Sequence, residues 1–258
     1  MIGIPLQSDA DASATVVERV APAHMAQWPV FLLRRALSPS TSTLDDDYPI
    51  LTIRLLQDER RWARHVLDAL IQGSDKSFAK IVIGVFADAT GAKCYDEGWW
   101  KRFLEGIRAR HPDYAIVEIA PPDGRSRLSS RFPVFSSPSP REVAAVIANM
   151  NCFVSADCGV MHLASASDTP TIGLFCVTDL AKYGPYGPHN KAIDTIGKTP
   201  EQIARLASEA AEAASSRVAG SYSQSRAPRL GHADRSDSHR QQDECSLPVA
   251  RGGSVASR

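Results

Sequence analysis

The stretch that decides the fold is Val154-Ser-Ala-Asp-Cys-Gly-Val-Met-His-Leu-Ala-Ser-Ala-Ser-Asp-Thr-Pro-Thr-Ile-Gly-Leu-Phe175. An apolar strand leads into a small polar turn, then a short helix, then a second apolar strand. In a parallel α/β sheet, ligands bind at such a strand-to-helix corner, because backbone N–H groups at the helix start point toward an incoming anion. The turn holds Asp157, Cys158, Gly159 and His162, which are the first candidate site residues.

Strands and helices alternate on both sides of this corner. The predicted strands are short and almost wholly apolar, which is typical of a parallel sheet covered on both faces. Ser139-Pro140 and Thr199-Pro200 have the pattern of helix starts, and 58–71 and 97–110 carry apolar side chains at helical spacing. We therefore expect an α/β fold, a Rossmann-like doubly wound parallel sheet, with strands at 80–86, 114–119, 132–135, 152–154, 171–175 and 192–196.

The chain divides into three zones. Residues 1–76 are mixed, with a short helix near Leu32, a polar linker over 38–47, a short strand at 49–54 and the helix at 58–71. Residues 77–214 hold the regular alternation of strands and helices. Residues 215–258 are rich in Ser, Arg, Gly, Asp and Gln and cannot bury enough apolar surface to offset the entropy of ordering. We expect this last zone to be a disordered tail.

Composition excludes several functional classes. The formal net charge of the 258 residues is zero, so we expect no nucleic-acid partner. The five cysteines form no CxxC pair and no zinc spacing, which fits a reducing cytosol and predicts neither a disulfide framework nor a metal site. The N-terminus lacks the pattern of a signal peptide, and no apolar run approaches the ~20 residues of a membrane span. A cytoplasmic protein without a cofactor is the expectation.

Three segments together resemble a known family. Asp157-Cys-Gly-Val-Met-His-Leu-Ala-Ser-Ala-Ser-Asp-Thr-Pro170 resembles the signature of glycosyltransferase family 9, the ADP-heptose:lipopolysaccharide heptosyltransferases. Thr178 with Gly184-Pro-Tyr-Gly-Pro188 resembles the loop that follows, and Gly91-Ala-Lys-Cys-Tyr95 resembles an upstream lysine element. The resemblance covers about residues 77–210, which in that family form the C-terminal, nucleotide-sugar half of a GT-B fold.

The chain also departs from the family pattern. Cys158 stands where Ser or Thr is usual, Cys176 where Gly is preferred, and Cys94-Tyr95 where Arg-Trp is usual. Only about 76 residues precede the nucleotide-sugar half, so 1–76 is expected to be a remnant of the acceptor domain with a linker. The family's N-terminal acidic base has no counterpart. We therefore expect this chain by itself to transfer sugar poorly, and we leave open whether it is an enzyme.

The resemblance implies a reaction and a set of donor-binding residues. An acceptor hydroxyl displaces a nucleoside diphosphate from a sugar carbon, which requires charge stabilisation on the departing diphosphate and a base. The expected partners are a nucleotide-sugar donor resembling ADP-heptose and a lipopolysaccharide or other glycan acceptor, with peripheral membrane contact left open. No catalytic residue is assigned, and the expected donor-binding residues are Lys93, Asp157, Cys158, Gly159, Val160, His162, Thr178 and Asp179.

Structural interpretations compete with these roles. Asp157 is expected to cap the following helix, because a carboxylate repels phosphate. Cys158 is more plausible as a small buried residue than as a nucleophile, and Trp99 and Trp100 are more plausible in the core than against a base. His24 has a weaker claim to touch the sugar or acceptor. The competing functions are a non-catalytic nucleotide-sugar-binding domain and an unrelated Rossmann-like module.

Overall fold

The computed structural model describes residues 22–37, 47–74, 76, 79 and 81–224. Residues 38–46 of the predicted linker and the tail beyond 224 lie outside these residues. The helices are α1 Trp28–Leu37, α2 Gln57–Gln72, α3 Glu97–Arg110, α4 Pro140–Ile147, α5 Gly159–Ala166, α6 Leu180–Tyr183 and α7 Pro200–Gln224. The strands are β1 Val82–Phe86, β2 Ala115–Ile119, β3 Val134–Phe135, β4 Cys152–Ala156, β5 Thr171–Phe175 and β6 Lys191–Asp194.

The six strands form one parallel sheet in the order β3-β2-β1-β4-β5-β6. From β1 the chain builds outward through β2 to β3, then returns to β4 beside β1 and builds the other way. The strand order therefore reverses between β1 and β4. In open α/β sheets this switch point opens a crevice beyond the carboxyl ends of the strands, where ligands bind. The predicted Rossmann-like doubly wound sheet is confirmed.

Helices cover both faces of the sheet. On one face α3 and α7 pack on the strands, with Trp100 and Phe103 of α3 fully buried against Ile203 of α7. On the other face α2, α4 and α5 do the same, with Leu67 and Ile147 among the buried residues. Burial on both sides explains why all five residues of β1, β2, β4 and β5 are buried, and why the sequences of these strands are almost wholly apolar.

The helix starts follow their sequence signals. Ser139 caps α4 by accepting a hydrogen bond from the backbone N–H of Glu142 at 3.4 Å, with Pro140 in the first turn. Before α7, the backbone N–H of Thr199 donates to Gln202 Oε1 at 2.8 Å, and the Gln202 N–H donates to Thr199 Oγ1 at 3.3 Å. This reciprocal pair is a capping box, and it fixes where α7 begins.

Three sequence-based boundaries are corrected. Residues 49–54 form no strand: they lie outside the sheet, and the Ile53 N–H donates to Ala166 O at 2.9 Å. The strand predicted at 132–135 begins at Val134, because Pro133 has no N–H to donate and contributes its carbonyl alone, accepting from Glu118 N at 2.9 Å. Helix α7 extends to Gln224 and overlaps the start of the predicted tail, since its alanine-rich sequence favours helix.

A buried carboxylate fastens the loop between β2 and β3. Glu118 lies fully buried in β2; its Oε2 accepts from Ser126 Oγ and its Oε1 from the Arg127 backbone N–H, both at 2.6 Å. The Ser126 hydroxyl in turn accepts from the backbone N–H groups of Leu128 at 3.1 Å and Ser130 at 2.8 Å. The loop is therefore organised from the sheet outward, because a buried charge requires such partners.

We expect Glu118→Gln to lower the free energy of unfolding by about 1–3 kcal/mol, the cost of leaving buried polar groups mispaired. The amide would present N–H groups where the carboxylate accepts from Ser126. Urea denaturation measures the change, and Glu105→Gln on the exposed face of α3 is the matched control, expected within about 0.5 kcal/mol of the parent. Equal stability of the two variants would contradict the role of Glu118.

Candidate functional site

A cleft opens at the switch point between β1 and β4. Its volume is about 700 Å³, and it is open to solvent. Its walls come from the segment after β1, from the corner between β4 and α5, and from Pro140 and Tyr183. Six of the eight predicted donor-binding residues line it: Lys93, Asp157, Cys158, Gly159, Val160 and His162.

Asp157 is the centre of this arrangement. It is only 6% exposed, and its Oδ2 lies 3.0 Å from Lys93 Nζ. The same oxygen accepts a hydrogen bond from the Thr178 hydroxyl. Asp157 follows β4, Lys93 follows β1 and Thr178 follows β5, so one carboxylate ties together three strand ends at the same edge of the sheet.

The expectation that Asp157 caps α5 is therefore wrong. The N-cap of α5 is Cys158, and no side-chain hydrogen bond caps this helix. Asp157 lies one residue too early and uses its carboxylate on Lys93 and Thr178 instead. The local sequence shows only an acidic residue before a helix, which predicts a cap. The tertiary fold places the Lys93 ammonium beside the nearly buried carboxylate, and this charge attracts it more strongly than the backbone N–H groups of the helix do.

Lys93 is positioned to serve a ligand as well as Asp157. It ends a 3-10 turn, Gly91–Lys93, and its side chain is 32% exposed on the cleft wall. An ammonium group has three N–H donors. Contact with Asp157 therefore leaves donors for an anion in the cleft, and the carboxylate fixes where the ammonium stands.

The start of α5 supplies backbone donors to the same cleft. The Cys158 side chain makes no capping hydrogen bond of good geometry, although the backbone N–H groups of Val160 and Met161 lie close enough to its thiol to lower the thiol pKa. Because sulfur is a weak acceptor, these first-turn N–H groups can still donate to a stronger one. A Cβ added at Gly159 would meet nothing within 4 Å, so the space above this backbone is open. An uncapped helix start with open space above it suits an anion, since the helix dipole is positive there.

The two titratable side chains at this corner are held neutral by burial. Burial raises the pKa of the Cys158 thiol, whose Sγ lies 3.2 Å from Ser155 Oγ. This favours the interpretation of Cys158 as a small packed residue over that of a nucleophile. Burial also lowers the pKa of His162; the negative charge of Asp157 opposes this shift, and the nearby Lys93 and His24 assist it. His162 is therefore a neutral hydrogen-bonding group at pH 7.

Thr178, Asp179 and His24 do not line the cleft. The Thr178 hydroxyl donates a hydrogen bond to Asp157 Oδ2. Asp179 caps α6, accepting from Ala181 N at 2.9 Å and Lys182 N at 3.4 Å. Both ring nitrogens of His24 are already bonded, because Nδ1 accepts from the backbone N–H of Ala26 at 3.1 Å while Nε2 lies 2.9 Å from the carbonyl oxygen of Gly184. These contacts give Asp179 and His24 structural roles.

The tryptophans pack in or against the core. Trp100 is 1% exposed, and Trp99 stacks on Phe103 with ring centroids 5.3 Å apart. Neither ring is on the wall of the cleft. Trp100 is therefore a core residue, whereas Trp99 is half-buried and packs against the edge of the core.

Sequence reasoning missed an acidic residue on the cleft wall and its partner in a neighbouring loop. Asp88 lies just after β1 and lines the cleft, and its Oδ2 is 3.2 Å from Arg127 Nη2 in the β2–β3 loop. An acidic residue directly after a buried strand was the available signal. Its partner could not be read from the sequence, because the loop that carries Arg127 has no regular pattern.

The described part of the chain has neither a metal-binding cluster nor a membrane-spanning helix. Within it, no group of three or more His, Cys, Asp or Glu side chains is arranged to hold a metal ion. None of its helices combines the length and the apolar character needed to cross a bilayer.

The sequence of part of the chain matches a known protein family. Residues 139–210, which run from the start of α4 into α7, match the sequence model of glycosyltransferase family 9 (heptosyltransferase). The resemblance to this family is confirmed. The matched segment contains the whole Asp157–His162 corner, although Lys93 lies outside it. No curated protein sequence matches the chain.

Solved structures show where the fold recurs. A family 9 glycosyltransferase from Veillonella parvula superimposes with a TM-score of 0.60 at 17% identity, over 76% of this chain and 61% of that one. E. coli ADP-heptose lps heptosyltransferase II gives a TM-score of 0.51 at 14% identity, over 68% and 56%. At such identities the likeness shows a shared fold. The chain spans less than two thirds of the length of either protein.

We expect His162 to titrate with a midpoint below 6.5, its ordinary pKa, when its ring protons are followed by NMR against pH. Because the negative charge of Asp157 raises the pKa of His162, Asp157→Asn should lower the midpoint further. Asp168→Asn, outside the cleft, is the matched control and should leave it unchanged. A midpoint above 6.5 in the parent protein would show that burial does not dominate at this histidine.

Proposed function

We propose that the cleft binds the diphosphate of a nucleotide sugar and that the chain belongs to a glycosyltransferase acting on a lipopolysaccharide or other glycan acceptor. One observation supports this above the others. Lys93, fixed by a nearly buried carboxylate, stands beside the uncapped start of α5 at the switch point of the sheet. A cation and converging backbone N–H groups are what a leaving diphosphate requires.

The cleft carries little net charge before a ligand binds. Asp157 neutralises Lys93 when the cleft is free, so the pair as a whole carries no net charge. The helix start then contributes a fixed positive potential of about half an elementary charge. Neutral His162 adds one hydrogen bond without a charge. Phosphate binding would therefore draw mainly on oriented donors, which is how preorganised sites stabilise developing negative charge.

The nature of the donor is taken from the structural likeness. One solved structure with the same fold is named as an ADP-heptose transferase. We propose an ADP-heptose-like donor for this chain on that ground, together with the match of residues 139–210. A cytoplasmic location is part of the same proposal, and it is supported by the four cysteines of the described residues, all of which are unpaired.

Donor binding without transfer is the second candidate. It is the alternative that the sequence left open, and it requires only the donor site at the cleft. Transfer also needs an acceptor hydroxyl held in line, which accounts for ~7–11 kcal/mol of such barriers, and a positioned base. No described residue is assigned as that base.

Calorimetry with ADP tests the binding step. We expect Lys93→Ala to weaken ADP binding by about 1.5–3 kcal/mol, the range for hydrogen bonds to charged groups. Lys101→Ala removes the same charge from the exposed face of α3, away from the cleft, and should leave the affinity unchanged. Retained affinity in the Lys93 variant would remove this lysine from the site.

ADP release separates the two candidates. The chain is incubated with ADP-heptose, with and without a lipid A–Kdo acceptor, and free ADP is measured. Acceptor-dependent release identifies a transferase. Tight binding of ADP-heptose with no acceptor-dependent release identifies a donor-binding protein, and failure to bind ADP-heptose and ADP alike contradicts both candidates.

A further inference from the structure

A second carboxylate lines the cleft, and phosphate binding does not account for it. Asp88 follows β1, and its side chain is 28% exposed on the same wall as Lys93. Asp157 is nearly buried and is matched by Lys93, so it adds no uncompensated charge. Asp88 is also paired, with Arg127 at 3.2 Å, but it is more accessible than Asp157, and a carboxylate offers a diphosphate no hydrogen-bond donor and a repulsive charge at short range. A different part of the ligand is therefore expected beside Asp88.

Asp88 is oriented through one of its two oxygens. Oδ2 accepts from Arg127 Nη2 at 3.2 Å. Within the described residues, Oδ1 has no hydrogen-bond partner among protein groups. An ionised carboxylate is an acceptor only, with room for about four hydrogen bonds. Hydroxyl groups are the ligand chemistry that such an oxygen can bind, because they donate and carry no charge.

Glu118 helps to fix the orientation of Asp88 by holding Arg127 in place. The backbone N–H of Arg127 donates to Glu118 Oε1 at 2.6 Å, so Arg127 is fastened to β2. Strand β2 pairs directly with β1, which carries Asp88 at its end. Arg127 and Asp88 therefore start from neighbouring strands of one sheet. A carboxylate held in this way needs little reorganisation when a ligand arrives, which favours affinity.

We propose that Asp88 binds a vicinal diol of the ligand and thereby selects a nucleotide or its sugar over a bare diphosphate. The inference rests on the proposed function, because it assumes that the diphosphate lies at Lys93 and the start of α5. Two groups of a nucleotide sugar carry such a diol, the ribose and the transferred sugar. A carboxylate at the end of a sheet strand is a known partner for ribose hydroxyls in dinucleotide-binding folds.

The test compares Asp88→Asn with the parent protein by calorimetry, using ADP, 2′,3′-dideoxy-ADP and ADP-heptose. If the ribose is the source, the variant binds ADP about 10-fold more weakly but binds dideoxy-ADP equally or more tightly, since a repulsive charge is gone. If the transferred sugar is the source, the loss appears with ADP-heptose alone. Equal effects on all three ligands, or no effect on any, would overturn the proposal.

A matched control and a second variant complete the experiment. Asp123→Asn removes a carboxylate from the same β2–β3 loop, where Asp123 pairs with Arg125 at 3.7 Å outside the cleft lining, and it should change no affinity. Asp88→Ala is measured alongside, so that the ligand pattern is judged on whichever variant unfolds at the parent's temperature. Failure of the parent to bind any of the three ligands overturns the proposed function and this inference together, whereas binding with a uniform variant effect overturns this inference alone.

Discussion

The carboxylate of Asp157 is the constraint on which the cleft depends. It is almost entirely withdrawn from water, and a charge in that position costs several kcal/mol unless it is paired and hydrogen-bonded. Lys93 and Thr178 satisfy it from two other strand ends. Since each partner reaches Asp157 only when β1, β4 and β5 are in register, correct folding of the sheet and assembly of the site are the same event.

The topology explains why this constraint lies where a ligand can use it. The strand order reverses between β1 and β4, so the segments after these two strands diverge and leave a crevice. Lys93 stands on one side of the crevice and the start of α5 on the other. Asp88, on the same wall as Lys93, adds a carboxylate that is paired with Arg127. Our proposal assigns the phosphate to Lys93 and the start of α5, and hydroxyl groups of the ligand to Asp88.

Much of the fold could be predicted because its signals are local. Apolar runs predicted the strands, and the caps at Ser139 and Thr199 predicted helix starts. The site was predicted from two kinds of signal. The Asp157–His162 corner is contiguous in sequence and was predicted from its strand–turn–helix pattern, whereas Lys93 was predicted from the resemblance to a known family. The Asp157–Lys93 pairing and the Asp88–Arg127 pair could not be predicted, because each joins separate strand ends through tertiary contacts that no sequence spacing records.

The most direct test of the central claim is a crystal structure of the chain with ADP. We expect a diphosphate oxygen within about 3.2 Å of Lys93 Nζ, and another within the same distance of a backbone nitrogen at the start of α5. Asp157 should remain paired with Lys93 in that complex. ADP bound outside the cleft, or a diphosphate in the cleft that leaves Lys93 in contact with Asp157 alone, would contradict the assignment of this corner as the phosphate site.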